Sequence, residues 1–186
     1  ISRDGRFVVF VSSADNLVPG DTNGVEDVFV YDWQTGVMSR VSVSSSGQEG
    51  NGMSVQPSLS ADGRYVAFVS LADNLVEGDT NSVSDVFVHD RQTGQTALAS
   101  ISSEGQIGDG TSKYPALSAN GRFVAFQSKS GNLAAGDTNQ MYDIFVHDLV
   151  AGKTELVSRG VDGGVGNHDS QRHSISDNGR HVAYES

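Results

Sequence analysis

The chain repeats itself every 58 residues, and that period limits the fold more than any other feature. Ile1-Ser-Arg-Asp-Gly-Arg-Phe returns as Leu59-Ser-Ala-Asp-Gly-Arg-Tyr, as Leu117-Ser-Ala-Asn-Gly-Arg-Phe and as Ile175-Ser-Asp-Asn-Gly-Arg-His, with no insertion between copies. The first two copies share 35 of 58 aligned positions. Common secondary structure alone would not impose that identity, so the copies are duplicated structural units. Three full units, 1–58, 59–116 and 117–174, precede the first part of a fourth, 175–186.

Each unit reads as four strands. A short first strand, as in Pro57 to Ser60, runs into Asp-Gly or Asn-Gly (Asp4-Gly5, Asp62-Gly63, Asn120-Gly121, Asn178-Gly179). That dipeptide is the strongest two-residue hairpin signal, because both positions tolerate positive φ. The second strand is FVVFVS, YVAFVS, FVAFQS or HVAYES, apolar on both alternating faces in the early units, which predicts burial on two sides. The connection from Ser13 to Glu26 leads to a third strand, DVFVYD, and a Thr-Gly or Ala-Gly turn leads to a fourth, as in Gln95 to Ile101. No useful stretch shows apolar residues at helical spacing. The class is all-β, and four antiparallel strands per repeat describe the blade of a β-propeller.

The strings SADGRYVAFVS and SDVFVHDRQTGQT resemble the WD40-like, or TolB-type (PD40), propeller repeat, whose pattern is S-x-D-G-R-x-x-A-F-x-S followed by D-I-x-V-x-D-x-x-T-G. The resemblance covers essentially the whole chain, with a longer second-to-third connection, NLVPGDTN, as its departure. It implies a bacterial protein, extracellular or periplasmic, with protein binding as its commonest role. Three and a half repeats do not make a closed ring, since propellers carry four to eight blades. The expectation is a single partial propeller, 1–186, whose remaining blades belong to the same or a longer chain.

Meander order predicts two unlike faces. The Asp-Gly and Thr-Gly turns fall on one. The other gathers the GDTN loops and the Gly-rich links Gly47 to Gly52, Gly105 to Gly110 and Gly163 to His168. Loops held on a rigid scaffold are the usual place for function. In each GDTN loop two carboxylates and a carboxamide stand at fixed offsets: Asp21, Asn23 and Asp27; Asp79, Asn81 and Asp85; Asp137, Asn139 and Asp143. Two readings stand. Oxygen ligands at that spacing, with the Val25 carbonyl, suit Ca²⁺. The same residues before a strand also brace a loop as Asx-turns, without metal. An EF-hand is excluded, because Glu26 occupies the position that requires glycine and a strand follows.

Other candidates read as structural. The arginine of each turn (Arg6, Arg64, Arg122, Arg180) is expected to pair with an adjacent strand, and Asp32, Asp90 and Asp148 to brace the following turn. His89 and His147 share one strand position with Tyr31, which points to packing between blades rather than catalysis. His168, Asp169 and Ser170 are hydrolase residue types, but sequence neighbours seldom have triad geometry. Trp33 stands alone at a turn.

A net charge of −11 excludes a nucleic-acid surface and suits cation binding or solubility. No apolar run reaches membrane-span length, and the absence of cysteine excludes disulfides and thiolate–metal sites. The chain opens on Ile1, so it is expected to be a processed product or a fragment, and no signal peptide is visible in it. The expected function is a non-catalytic scaffold or binding module of a larger protein, engaging a protein or glycan through the acidic long-loop face. The alternative is a substrate-gating propeller of a hydrolase whose catalytic domain lies outside this chain. An active propeller lyase using His89 and His147 is a third reading.

Overall fold

In the computed structural model, which describes residues 1–186, thirteen strands form four antiparallel sheets and no helix. The first sheet holds β1 (Phe7–Ser12), β2 (Asp27–Asp32) and β3 (Val37–Arg40). The second runs β4 (Ser54–Leu59), β5 (Tyr65–Ser70), β6 (Asp85–Asp90) and β7 (Gln95–Leu98). The third runs β8 (Ser112–Leu117), β9 (Phe123–Ser128), β10 (Asp143–Asp148) and β11 (Lys153–Leu156), and the fourth holds β12 (Gln171–Ile175) and β13 (Val182–Glu185). Strands pair in chain order as meanders. The 58-residue period survives in every register: Phe10 opposes Phe29, Phe68 opposes Phe87 and Phe126 opposes Phe145.

The hydrophobic cores lie between sheets. Val28, Val30 and Val41 of the first repeat pack with Val66, Phe68, Phe87 and Leu98 of the second. Ala67, Val69, Val86 and Val88 turn to the opposite side and pack with Val124, Phe126 and Phe145 of the third. The two-sided apolar pattern of β5 is thus spent on two neighbours, and β5 is buried from Val66 onward. Each fully buried phenylalanine contributes roughly 2–3 kcal/mol by area removed from water.

Two strand boundaries differ from the sequence reading. The innermost strand begins at Ser54 rather than Pro57, because pairing continues across a bulge between Val55 and Ser58. Gln56, Tyr114 and Arg172 occupy the bulge at φ 53°, 54° and 52°, left-handed values that strain a non-glycine residue. The outermost strand ends at Leu98 rather than Ile101. Both Ala99 and Ser100 donate to the Val86 carbonyl there, so the ladder breaks and Ser100 turns under Asp85.

Successive repeats are also tied through the backbone. Arg3 N–H donates to the Ala61 carbonyl, Ala61 to Ala119 and Ala119 to Asp177, one relay repeated at each step. Beside it the glycine of each hairpin takes an aromatic ring from the preceding repeat. A Cβ on Gly121 would stand 2.1 Å from Tyr65 Cδ2, and one on Gly63 2.2 Å from Phe7 Cδ2. Gly94 has a similar φ, +73° against +70°, but open space around it. Gly94→Ala is therefore expected to lose about 1 kcal/mol, the backbone strain alone. Gly121→Ala adds overpacking and is expected to lose about 2–4 kcal/mol. Urea denaturation of the two variants measures the difference.

Candidate functional site

The long loops and the links meet on one face, as meander order requires. Asn23 donates through Nδ2 to Asp27 Oδ2 (2.8 Å) and to the Gly50 carbonyl (2.9 Å), while its Oδ1 accepts from Val25 N–H (3.0 Å). Asn81 does the same with Asp85, Gly108 and Val83, and Asn139 with Asp143, Gly166 and Met141. The carboxamide is therefore an Asx brace whose second job is to pin the loop to the outgoing link. Its oxygen is turned to the backbone.

The link is then pinned to the next loop. Asn74 Nδ2 donates to the Glu49 carbonyl, and Asn132 Nδ2 to the Ile107 carbonyl. Loop and link thus alternate in one hydrogen-bonded belt across the face. Asn74 and Asn132 escaped the sequence reading, although their position in the ADN or GN before the Leu of each repeat marked them.

The last acid of each triplet is fully buried. Asp27, Asp85 and Asp143 accept from the hydroxyls of Ser42 (2.5 Å), Ser100 (2.6 Å) and Ser158 (2.6 Å), and the same hydroxyls accept from Val28, Val86 and Ile144 N–H. The first loop has a countercharge: Arg40 Nη1 lies 3.1 Å from Asp21, 3.4 Å from Asp27 and 2.9 Å from Glu49. At Arg40's place the later repeats have Leu98 and Leu156, and at Glu49's place Ile107 and Val165. Burial raises the carboxyls of Asp79 and Asp137 above the ordinary range, and pushes Asp85 up to about 6. The structure therefore brings the acids of each triplet together, but no three His, Cys, Asp or Glu side chains converge with metal-binding spacing.

On the opposite face Arg6, Arg64 and Arg122 each grip the end of the third strand, whereas Arg180, in a sheet of two strands, meets no such aspartate. Arg64 Nε and Nη2 reach the two oxygens of Asp90 at 2.8 and 2.6 Å, and Arg6–Asp32 and Arg122–Asp148 repeat the fork. Asp90 Oδ1 also accepts from Gln92 N–H. These bonds hold Asp90 and Asp148 down at about 2 and lower Asp32 as well.

The histidines are engaged inside the sheets. His89 Nδ1 meets Thr96 Oγ1 at 2.9 Å, and His147 Nδ1 meets Thr154 Oγ1 at 2.8 Å. Each threonine hydroxyl spends its proton on a carbonyl of the preceding link, Val43 or Ile101. The histidine must therefore donate from Nδ1, and burial lowers its pKa, so each ring is a neutral tie between blades. His168, Asp169 and Ser170 do not assemble: Asp169 accepts from Tyr142 N–H and Ser170 Oγ bonds Ser186. Trp33 is exposed and stands edge-on to Tyr31.

No protein-family model matches the sequence, and no curated protein matches it. Solved structures do. The chain is similar to TolB from Acinetobacter baumannii, with 17% identity and a TM-score of 0.56 over 98% of this chain and 35% of that one. It is similar to Porphyromonas gingivalis dipeptidyl peptidase 4, with 17% identity and a TM-score of 0.57 over 99% of this chain and 28% of that one. The propeller domain of the Trilobed protease from Pyrococcus furiosus aligns at 14% identity and a TM-score of 0.52, over 84% of this chain and 40% of that one. The chain thus spans less than half the length of each of these three. The fold is a TolB-like β-propeller, present here as an arc of repeated blades.

The raised carboxyl has a measurable consequence. Between its unfolded pKa near 4 and its folded value of about 6, Asp85 holds an extra proton in the native state, so stability falls as pH rises through that window. The loss is on the order of 3 kcal/mol once ionisation is complete. In chelator, Asp85 is expected to contribute a fall in urea midpoint from about pH 4 to about pH 7, against the rise that His89 and His147, with their lowered pKa values, contribute over part of the same range. Asp85→Asn, which keeps an acceptor for Ser100, should remove most of that slope.

Proposed function

We propose that the chain is a non-catalytic propeller module of a larger bacterial protein, extracellular or periplasmic, that binds a protein or glycan partner through its long-loop face. The belt of asparagine-to-carbonyl bonds carries this reading, because it presents the loops of three repeats as one preorganised surface. The side chains with catalytic chemistry are committed elsewhere: His89 and His147 to threonines, the turn arginines to aspartates. Likeness to TolB supports a binding role by analogy of fold. Likeness to propellers of peptidases supports the alternative, a gating domain beside a catalytic domain outside this chain. A G-x-S-x-G elbow in the flanking sequence would favour it.

A photoreactive residue placed at exposed Glu77 of the long-loop face is expected to crosslink the partner of the full-length protein in cells. One at exposed Gln92, on the tight-turn face, is not. The reverse pattern would overturn the assignment of the face.

Calcium at the loops is a second reading, favoured by the second and third repeats. There Asp79 with Asp85, and Asp137 with Asp143, lack the arginine that the first loop sets among its acids. Two carboxylates and backbone carbonyls would be the ligands. Millimolar Ca²⁺ is expected to raise the melting temperature over that in chelator, since a ligand bound only by the native state stabilises it. Asp79→Asn with Asp137→Asn should abolish the shift, whereas Asp21→Asn should not.

A further inference from the structure

A chain built from near-copies reveals its special places by where the copies stop matching. The third sheet and the strand after it depart from their predecessors at one spatial location, the inner ends of the sheets on the long-loop side. Lys113 stands where the second sheet has Val55, Tyr114 where it has Gln56, Gln127 where it has Val69, and Tyr142 where it has Ser84. His173 stands where β4 and β8 have Pro57 and Pro115, next to Arg172. These six residues line a single cavity of about 440 Å³ between the third and fourth sheets, a volume within the range of small-ligand sites. At the corresponding place between the second and third sheets, Val69, Ser84, Thr111 and Pro115 stand where this cavity has Gln127, Tyr142, Asp169 and His173.

Asp169 and Gln171 complete the lining, and the Asp169 carboxylate accepts from Tyr142 N–H. Lys113 Nζ lies 3.7 Å from the centre of the Tyr142 ring and 5.3 Å from that of Tyr114, and Lys129 Nζ lies 4.7 Å from the same Tyr142 ring. Neither lysine has a carboxylate within 4.0 Å, although acidic residues outnumber Lys and Arg by almost two to one in this chain. Lys113 lines the cavity, whereas Lys129 lines a neighbouring one with Asp109 and Asp137. Arg172, held at the strained bulge, spends its guanidinium on Glu185. The Tyr114 ring is more than half exposed and offers a flat apolar face. Gln127 Nε2 donates to the Ser170 carbonyl (2.6 Å), fixing an amide in a wall where valine is the ordinary residue. His173 Nε2 is buried without a partner.

We propose that this cavity is a binding site for a small ring-borne carboxylate, its anion held by Lys113 and its ring laid on Tyr114. The inference stands on the cavity's own residues and takes from the binding-module reading only the face on which it lies. A hydroxylated ring and an aromatic ring present the same carboxylate, so the probes are glucuronate and benzoate. Glucose serves as the neutral counterpart of the first, and inorganic phosphate as an anion without a ring.

Calorimetric titration of the protein is expected to show glucuronate or benzoate binding at least about tenfold more tightly than glucose or phosphate, and weakening as salt rises. Lys113→Gln and Tyr114→Ala should each weaken binding by about tenfold or more. Preference for glucuronate would identify the hydroxylated ring, and preference for benzoate the aromatic one. Amide NMR shifts on titration read the location independently of any variant, and should cluster at Lys113, Gln127, Tyr142 and His173. No binding of either carboxylate at millimolar concentration, phosphate binding as tightly, or shifts centred elsewhere would overturn the proposal. Crosslinking at Glu77 reports on the module reading alone, so the two can fail separately.

Discussion

No sheet in this molecule has a core of its own; every apolar residue on its two faces depends on the sheet before or after it. The strongest case is β5, whose Val66 and Phe68 belong to one interface and Ala67 and Val69 to the other. Stability in such an array comes from nearest-neighbour interfaces rather than from any single unit. The stacked phenylalanine pairs, the backbone relay from Arg3 to Asp177 and the glycine–aromatic contacts all serve this one need. They set how far each sheet is turned from its neighbour, and so where the loops emerge.

The two faces solve their electrostatics differently. On the tight-turn face each buried or half-buried carboxylate has a forked arginine, and the charge is matched within one blade. On the long-loop face only the first repeat supplies an arginine, and the later repeats leave Asp85 and Asp143 with hydroxyl and amide donors alone. Burial raises the Asp85 carboxyl despite these donors, which favours its protonated form or a bound cation.

Much of the fold was legible because repetition amplifies weak local signals. The second and third strands fall where FVVFVS and DVFVYD lie, and the Asp-Gly turns where glycine must take positive φ. The ends of the first and fourth strands were not legible. A bulge at Gln56 and the turn of Ser100 beneath Asp85 answer to tertiary partners that a linear pattern does not show. Of the GDTN triplets, the bracing role of asparagine was readable from its offset to Val25 and Asp27, whereas Arg40 lies too far along the chain to be seen beside Asp21. The cavity at Lys113 was written plainly as mismatches between repeats. Only the fold shows that residues 113, 127, 142 and 173 are neighbours.

The contact of Phe7 with Gly63 is the same contact as Tyr65 with Gly121 and Phe123 with Gly179. Each repeat thus carries one half of a joint at its front and the other half at its back. Recombination that inserts or deletes 58 residues leaves every joint matched, wherever the exchange falls. Blade number can therefore change by unequal crossing-over without a new interface having to evolve, leaving single loops free to diverge.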